Sequence, residues 1–368
     1  MNFSATDHRH MAQALRLAAK GLYTTSPNPR VGCVIAHGDE VVGSGWHRRA
    51  GEPHAEVHAL REAGQRARGA TAYVTLEPCA HHGRTPPCAD ALVAAGVARV
   101  VIAAEDPFPQ VDGRGIGKLR AAGITVDSGL LRDEARELNI GFFSRIERAR
   151  PFVRVKLAMS LDGRTALADG SSKWITGAAA RDDVQRWRAR SSAILTGVGT
   201  VLADDPRLTV RLPEDVPFAA PTRVVLDSRL RTPPTAVLFD DSASPVQLIS
   251  LPGTRDAQHD ALAARGATFT EVPAAADGRP DLGALLDLLG RQDINELHVE
   301  AGPTLCGALF AQGLVDELLL YVAPVLLGST ARPLLELPPL ADMAERWQLR
   351  VLDRRQLGDD TRLRLRPH

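Results

Sequence analysis

Residues 70–104 read ATAYVTLEPCAHHGRTPPCADALVAAGVARVVIAA, and this stretch decides the fold of the first part of the chain. Its beginning, ATAYVTLEP, alternates apolar and polar residues as a half-buried strand does, and its end, ARVVIAA, is typical of a buried strand. The segment CADALVAAGV between them predicts a helix that begins at Cys88. A strand, a helix and a second strand in succession predict a layered α/β domain.

The segments before this stretch continue the same alternation. DHRHMAQALRLAAKG predicts an amphipathic helix that ends at Gly21, and VGCVIA and EVVGSGW predict two paired strands around the turn HGDE. A further helix is predicted after Pro53, in HAEVHALREAG. The first part of the chain is therefore expected to form one domain over residues 1–147.

The pattern begins again at ERARP, residues 147–151, which predicts a short linker and a second α/β domain over residues 151–368. PFVRVKLAMSLDGRTA predicts a strand that runs into a turn, and GAAARDDVQRWRARSS predicts a helix. AILTGVGTVLADDP predicts an apolar strand followed by a glycine turn. PTRVVLDS, PVQLISLP and ELHVEAGP predict further strands, with helices such as LGALLDLLGRQ between them.

Charge and hydropathy exclude several classes of function. The 368 residues contain 44 Lys and Arg against 44 Asp and Glu, without a block of like charges, so neither nucleic acid nor an acidic membrane is an expected partner. The N-terminus has no apolar signal core, and the longest apolar run is short and interrupted by Pro324. These features predict a soluble, cytoplasmic protein that acts on a small molecule.

The cysteines point to a metal. The chain has four cysteines, Cys33, Cys79, Cys88 and Cys306, and in a reducing compartment they are not expected to form disulfides. Cys79 and Cys88, with His54 upstream, supply the two thiolates and one imidazole of a catalytic zinc site, which keeps its fourth position for water. By cysteine spacing alone, a closed structural zinc site or a buried thiol pair competes with a catalytic centre.

Glu56 favours catalysis, because it stands two residues after His54 and is not needed as a ligand. A carboxylate beside zinc can take the proton of a bound water and pass it to a leaving amine. The pattern H-x-E…P-C-x-x-C is the signature of zinc nucleobase deaminases, but here eight residues separate the cysteines instead of two. His58, His81 and His82 are alternative ligands, which we expect to be unnecessary.

Three motifs together resemble a known family. They are NPRVGCVIA at residues 28–36, HAE at 54–56 and PCAHHGRTPPC at 78–88. These motifs resemble the deaminase domain of the bifunctional deaminase and reductase of riboflavin biosynthesis. In that family the long gap between the two cysteines is the norm. The resemblance implies a cytidine-deaminase-like three-layer α/β/α domain, with one zinc ion on His54, Cys79 and Cys88 and with Glu56 as the proton shuttle. It also implies substrate contacts from Asn28, His47, His81 and Arg84, for which turn chemistry is the alternative explanation.

The implied reaction is hydrolytic removal of the 2-amino group of 2,5-diamino-6-(5-phosphoribosylamino)pyrimidin-4(3H)-one. The product would be 5-amino-6-(5-phosphoribosylamino)uracil, so the expected partner is a phosphorylated pyrimidine. The rival hypothesis from the residues is a nucleoside or nucleic-acid deaminase, and a non-enzymatic nucleotide sensor would require an idle Glu56.

The second domain is less specific by itself. Two of its segments each place a turn after an apolar strand: TGVGTVLADDPRLTVR at residues 196–211 and VEAGPTLCGALF at 299–310. The second segment leads into a helix whose exposed amides suit a phosphate. Two such anion cradles suggest a dinucleotide. GRGIG at 113–117 lacks the spacing and the preceding strand of a dinucleotide fingerprint, and it is expected to be a loop.

Four motifs of the second part resemble the reductase domain of the same family, whose fold is similar to dihydrofolate reductase. These motifs are VKLAMSLDGR, SSKWITG, GVGTVLADDPRLTVR and EAGPTL. The resemblance implies an NADPH-dependent reduction of the ribosyl chain to a ribityl chain, and residues of two kinds. The implied NADPH contacts are Ala158, Trp174, Thr200, Asp204, Ser228, Gly302, Pro303, Thr304, Leu305, Cys306, Gly307 and Ala308. The implied substrate contacts are Ser172, Arg188, Leu208, Arg211 and Glu300.

Reduction needs a proton donor, and both Asp204 and Glu300 are candidates between which the sequence does not choose. Capping of a helix or turn before Pro206 is the alternative role for Asp204 and Asp205. We also expect the chain to form a homo-oligomer, either a dimer or a tetramer.

Overall fold

The computed structural model describes residues 3–80, 87–109, 111–254 and 257–368. The chain forms two compact units, Met1–Ala149 and Arg150–His368. None of the helices in these described ranges is long and apolar enough to cross a membrane.

The first unit contains helices and strands in alternation. Its helices are α1 (Ala5–Ala18), α2 (Ala55–Ala63), α3 (Cys88–Ala95), α4 (Arg114–Ala121), α5 (Arg132–Leu138) and α6 (Ile140–Arg148). Its strands are β1 (Gly32–His37), β2 (Glu40–Trp46), β3 (Thr71–Leu76), β4 (Arg99–Ala104) and β5 (Thr125–Ser128). The strand, helix and strand predicted within residues 70–104 are β3, α3 and β4.

The strands of the first unit form one sheet in the order β2-β1-β3-β4-β5. β1 is antiparallel to both β2 and β3, whereas β3, β4 and β5 are parallel to one another. The predicted pairing of VGCVIA with EVVGSGW is therefore confirmed.

Alternate side chains of these strands pack on opposite faces of the sheet, because successive side chains of a strand point in opposite directions. Cys33 and Ile35 belong to a core with α2, α3 and α4, whereas Val34 and Ala36 belong to a second core with α1, α5 and α6. The unit therefore has the predicted three layers, helices on both sides of a central sheet.

Helix α2 lies unusually close to β2. A Cβ atom at Gly43 would stand 2.2 Å from the Ala59 carbonyl oxygen, and one at Gly45 would stand 2.5 Å from that of Ala55. Only glycine permits this approach of a helix backbone to a strand. The glycines of EVVGSGW therefore set the position of α2 and of the residues at its N-terminus.

The prediction that GRGIG is a loop is wrong. Gly113 is the N-cap of α4, with a φ angle of 71°, and the other four residues form the first half of that helix. Tertiary contacts of the segment override the low helix propensity of its glycines.

The second unit has the same alternating composition. Its helices are α7 (Ala178–Arg190), α8 (Val198–Asp204), α9 (Ala257–Ala264), α10 (Leu282–Arg291) and α11 (Pro303–Ala311). Its strands are β6 (Phe152–Ser160), β7 (Arg164–Ala166), β8 (Ala193–Gly197), β9 (Thr222–Leu226), β10 (Val246–Ser250), β11 (Ala267–Glu271), β12 (Glu296–Val299), β13 (Glu317–Ala323), β14 (Arg332–Pro333), β15 (Leu349–Leu357) and β16 (Asp360–Pro367).

Nine of these strands form one sheet in the order β11-β10-β9-β8-β12-β6-β13-β16-β15. The strands from β11 to β13 are parallel, and the C-terminal hairpin β15-β16 adds antiparallel strands beside β13. In open parallel sheets, ligands bind at the carboxyl ends of the strands.

One local prediction for the second unit needs correction. The glycine turn expected after AILTG does not form; Gly197 ends β8 and Val198 begins α8 directly. β8 thus leads without a loop into a helix at the carboxyl edge of the sheet.

Candidate active sites of the two units

The donor atoms of His54, Cys79 and Cys88 converge in the first unit. His54 Nδ1 lies 3.7 Å from Cys79 Sγ and 3.3 Å from Cys88 Sγ, and the three donors lie within 4.8 Å of one another. Zn–S and Zn–N bonds of typical length in a tetrahedral site place sulfur and nitrogen about 3.6 Å apart. The three residues therefore fit a zinc ion. Within the described part of the chain, the cluster contains neither His58 nor another acidic or histidine side chain.

Secondary structure positions two of these ligands at helix N-termini, and hydrogen bonds hold the third beside one of them. His54 is the N-cap residue of α2, and Cys88 is the first residue of α3. Cys79 precedes α3 and is bound to it twice: the Cys88 amide donates to Cys79 Sγ over 3.3 Å, and the Ala89 amide donates to the Cys79 carbonyl over 3.2 Å. The positive end of a helix dipole stabilises a thiolate at such a position.

The Cys79 and Cys88 side chains are hydrogen-bonded to each other. The hydrogen bond from Cys88, together with His54, lowers the pKa of the Cys79 thiol to about 4. The same contact with Cys79 raises the pKa of the Cys88 thiol. Binding of a metal to both sulfurs therefore has to release the remaining proton.

Glu56 is the second residue of α2 and only 3% of its surface is exposed. Its Oε2 atom has no hydrogen-bond partner among the described residues, and burial raises the pKa of its carboxyl group. Buried carboxylate oxygens are normally paired. An oxygen without a protein partner beside three metal donors is suited to bind a water molecule or a substrate group.

His47 and Asn28 lie beside the zinc ligands. The His47 ring packs edge-on against the His54 ring, with centroids 5.4 Å apart. Its Nδ1 lies 3.2 Å from the Pro53 carbonyl, and its Nε2 lies 3.3 Å from Asn28 Nδ2. Burial lowers the pKa of His47, so the ring is neutral, Nδ1 carries the proton given to Pro53, and Nε2 accepts from the Asn28 amide. His81, His82 and Arg84 lie outside the described residues.

In the second unit, the proposed cofactor residues gather at the carboxyl ends of neighbouring parallel strands. Ser228 follows β9, Thr200 belongs to α8 after β8, and Ala158 lies near the end of β6. The run Gly302 to Ala308 follows β12 and forms the first turns of α11.

The N-terminus of α11 fits a phosphate. Gly302 is its N-cap and Pro303 its first residue, and no side chain of the described residues caps it. A Cβ atom at Gly302 would meet no other atom within 4 Å, so the backbone is open to a ligand. Free amides and the helix dipole at such an end favour an anion.

The structure distinguishes the other proposed cofactor residues by their environment. The Trp174 side chain is 71% exposed and stacks with the Arg181 guanidinium at 4.7 Å from the ring centroid. Asp204 ends α8, and its main-chain carbonyl accepts from Lys173 Nζ over 3.4 Å. Cys306 and Gly307 are buried, and Cys306 Sγ donates to the Ala301 carbonyl over 3.4 Å.

On the substrate side, Arg188 and Glu300 form a two-point ion pair. Arg188 Nε lies 2.5 Å from Glu300 Oε1, Nη2 lies 2.9 Å from Oε2, and Nη1 donates to the Thr209 carbonyl over 2.9 Å. Burial opposes ionisation of Glu300, but Arg188 and the neighbouring His298 hold the pKa of Glu300 well below its usual value. Glu300 is therefore a carboxylate.

The remaining proposed substrate residues differ in exposure. Leu208 is buried and has a φ angle of 51°. The Arg211 amide donates to Gln185 Oε1 over 3.0 Å, and the Arg211 residue is exposed. Ser172 is half-buried in the segment before Trp174.

Sequence reasoning missed Lys156, in the middle of β6. Burial lowers its pKa, and its ammonium group interacts with the Glu300 carboxylate. A lysine within a strand carries no motif, and its acidic partner comes from the end of β12. Side chains two residues apart in a strand lie on the same face, so Lys156 shares a face with Ala158, a proposed cofactor contact. This is the only sequence signal that could have indicated Lys156.

These two sites define a class of protein: a zinc-dependent deaminase joined in one chain to a reductase that binds a dinucleotide. Residues 4–104 match the model of the cytidine and deoxycytidylate deaminase zinc-binding region, and residues 151–363 match the RibD C-terminal domain. The Escherichia coli riboflavin biosynthesis protein RibD is 50% identical, with 98% of this chain and 99% of the relative covered. The Haemophilus influenzae RibD protein is 49% identical, with 100% and 99% covered.

Solved structures agree over the full length. Acinetobacter baumannii RibD superposes with a TM-score of 0.91 at 48% identity, covering 99% of each chain. A Thermotoga maritima diaminohydroxyphosphoribosylaminopyrimidine deaminase/5-amino-6-(5-phosphoribosylamino)uracil reductase superposes with a TM-score of 0.84 at 31% identity, again covering 99% of each chain.

The chain therefore belongs to the RibD family of bifunctional deaminase and reductase enzymes in riboflavin biosynthesis. The predicted fold classes, cytidine-deaminase-like for the first unit and dihydrofolate-reductase-like for the second, are confirmed by this match. The predicted cofactors, zinc for the first unit and NADPH for the second, follow from the same membership.

Proposed function

We propose that residues 1–147 convert 2,5-diamino-6-(5-phosphoribosylamino)pyrimidin-4(3H)-one to 5-amino-6-(5-phosphoribosylamino)uracil, and that residues 151–368 reduce the ribosyl chain of this product with NADPH. The observation that carries the proposal is the buried Glu56 carboxylate beside three zinc donors. The two activities named for the Thermotoga maritima relative support this choice of substrates.

In the first unit, His54, Cys79 and Cys88 hold the zinc ion, which lowers the pKa of a water molecule towards neutrality when bound. Glu56 takes a proton from the attacking water and delivers it to the nitrogen that leaves as ammonia. Because Glu56 Oε2 has no hydrogen-bond partner among the described residues, Glu56 can perform both proton transfers through this atom without breaking a hydrogen bond to the protein.

Asn28 and His47 orient the pyrimidine. Because His47 Nε2 accepts from the Asn28 amide nitrogen, the Asn28 side-chain oxygen stays available to accept from an amino group of the substrate. His81 and Arg84 complete the binding of the ring and its phosphoribosyl group. A cationic side chain such as Arg84 suits the phosphate because it can form two parallel hydrogen bonds with it.

In the second unit, the N-terminus of α11 and the residues at the ends of β6, β8 and β9 hold NADPH, which supplies the hydride. Arg188, Arg211, Ser172 and the main chain of Leu208 hold the phosphoribosyl substrate. A fixed arginine and a carboxylate at the reacting sugar restrict its orientation, which accelerates a transfer between two bound molecules.

Glu300 is a better candidate than Asp204 for proton transfer in the reduction. Glu300 is ionised and largely buried, and its charge favours the protonated form of Lys156, so it keeps a proton available beside the substrate. Lys156, whose pKa is lowered by burial, is the neighbouring proton source. Asp204 lies at the C-terminal end of α8, where Lys173 Nζ contacts its main-chain carbonyl over 3.4 Å.

The proposed function is tested with purified protein and the diaminopyrimidine phosphate. Ammonia release without NADPH, followed by NADPH consumption after its addition, is the expected result. Cytidine serves as the control substrate, and ammonia release from cytidine alone would favour the nucleoside deaminase. Absence of turnover with zinc bound would favour a nucleotide sensor.

We further propose a cytoplasmic homo-oligomer. The zinc thiolates and NADPH both suit a reducing compartment. Near the edge strand β15, Met343 is 72%, Val351 56% and Leu340 43% exposed, which is unusual for large apolar side chains in one short segment. Light scattering on the wild-type protein and on Val351→Glu tests this: a monomeric wild type contradicts it.

A further inference from the structure

Glu77 connects the loop that carries Cys79 to helix α4. It lies two residues before this zinc ligand, and only 4% of its surface is exposed. Its carboxylate accepts three main-chain hydrogen bonds, from Ile116 over 3.1 Å, Gly113 over 3.2 Å and Asp106 over 3.4 Å. The Glu77 amide in turn donates to the Ala104 carbonyl over 3.0 Å. Glu77 is thus fixed at both its main chain and its side chain.

Gly115 makes the same connection through the backbone. A Cβ atom at Gly115 would lie 2.0 Å from the Pro78 carbonyl oxygen and 3.1 Å from Glu77 Oε1. Helix α4 therefore packs directly against the main chain that leads into Cys79. A Cβ atom at Gly117, in the same helix, would meet nothing within 4 Å.

These contacts matter because Cys79 has no secondary structure of its own. It lies between the end of β3 and the start of α3, and a metal ligand has to be held within about 0.5 Å of its productive position. The Cys88 and Ala89 amides fix it from the downstream side. On the upstream side, its direction is set by the Glu77–Pro78 main chain, which rests on α4.

We propose that Glu77 and Gly115 are positioning residues for Cys79, and that the GRGIG segment serves the zinc site instead of a phosphate. The first half of α4 supplies the amides that Glu77 binds and the gap that Pro78 occupies. This proposal rests on the proposed zinc site.

Gly115→Ala and Gly117→Ala make the same change in one helix, and only the first meets the Pro78 carbonyl. In the full-length protein, we expect Gly115→Ala to weaken zinc binding about 10–100-fold, the range found when groups that orient a metal ligand are removed. The zinc dissociation constant is measured by competition with a chromophoric chelator. Gly117→Ala should bind zinc as the wild type does.

Glu77→Gln keeps the size of the side chain but places an amide donor against amide donors. We expect a similar loss of zinc affinity and an altered thiolate-to-cobalt absorption band in the Co²⁺-loaded protein, because the Cys79–metal geometry changes. Glu62→Gln is the matched control, since Glu62 also accepts a main-chain amide, that of Ser44 over 2.8 Å, away from the zinc donors. If Gly115→Ala does not fold, the comparison of Glu77→Gln with Glu62→Gln tests whether Glu77 positions Cys79.

Wild-type zinc affinity and an unchanged cobalt spectrum in Glu77→Gln would overturn the proposal. Equal loss of affinity in Gly117→Ala and Gly115→Ala would also overturn it, because the effect would then come from the helix as a whole. A wild-type protein that binds no zinc would contradict the zinc site itself, which is a different failure.

Discussion

The Cys88 amide donates a hydrogen bond to Cys79 Sγ over 3.3 Å, so one zinc ligand is held by the main chain of another. The N-terminus of α3 therefore supplies both a thiolate and the amide that stabilises its partner. A main-chain amide at a helix N-terminus stabilises the thiolate form, which is the form that binds metal.

Cys79→Ser should lose zinc and deamination together. The serine hydroxyl stays protonated at neutral pH and does not replace the thiolate, and the two remaining ligands, His54 and Cys88, are too few to hold zinc. Reduction of supplied 5-amino-6-(5-phosphoribosylamino)uracil should continue, since the reductase residues all belong to the second unit. Metal content and the rates of ammonia release and NADPH consumption measure the three effects. Loss of both activities in a folded protein would contradict independent sites.

Glu56→Gln should retain zinc and lose about 10²–10⁴-fold in the rate of ammonia release, because an amide cannot accept the proton of the attacking water. The zinc ligands are untouched by the change. Glu62→Gln, in the same helix but exposed, is the matched control. An active Glu56→Gln enzyme would exclude Glu56 as the general base.

The residues of the zinc site are predictable from sequence because each lies in a local pattern. His54 and Glu56 begin one helix, and Cys79 and Cys88 flank the start of another, so short-range signals reveal them. The pairing of Arg188 with Glu300 is different. These residues are 112 positions apart, and only the sheet brings them together.

Helix α4 and the C-terminal hairpin show where local patterns fail. Three glycines within GRGIG disfavour a helix, and the helix forms because Glu77 binds its first amides. In β16, arginines alternate with other residues, and Arg364 gains its place by pairing with Glu317 of β13 over 2.8 Å. Contacts between distant segments decide both elements.

Glu300→Gln should lower kcat of the reductase about 10²-fold or more, because the amide lacks the charge that favours protonated Lys156 and leaves Arg188 without its ion pair. Asp204→Asn should lower it less than about tenfold. Stopped-flow NADPH oxidation at saturating substrate separates kcat from KM. A larger loss of kcat in Asp204→Asn would make Asp204 the proton donor.

Glu317→Gln should destabilise the second unit by about 3–5 kcal/mol, because it removes one partner of a buried ion pair and leaves Arg154 with a single carboxylate, that of Glu296. Arg154 and Glu317 have fully buried side chains 2.7 Å apart. Thermal unfolding of the full-length protein at pH 7 measures the change. Glu214→Gln, at an exposed position, is the matched control.

The same ion pair predicts a pH dependence. Burial opposes ionisation, but Arg154 and Arg364 lower the pKa of Glu317 from the usual 4.5 to about 2. Because the folded-state pKa lies below the unfolded one, the stabilisation is complete above pH 4.5 and is lost as the pH falls towards 2. The wild type should therefore lose more stability over this interval than Glu317→Gln does, by about 3 kcal/mol. Equal slopes for the two proteins would show that Glu317 titrates normally in the folded state.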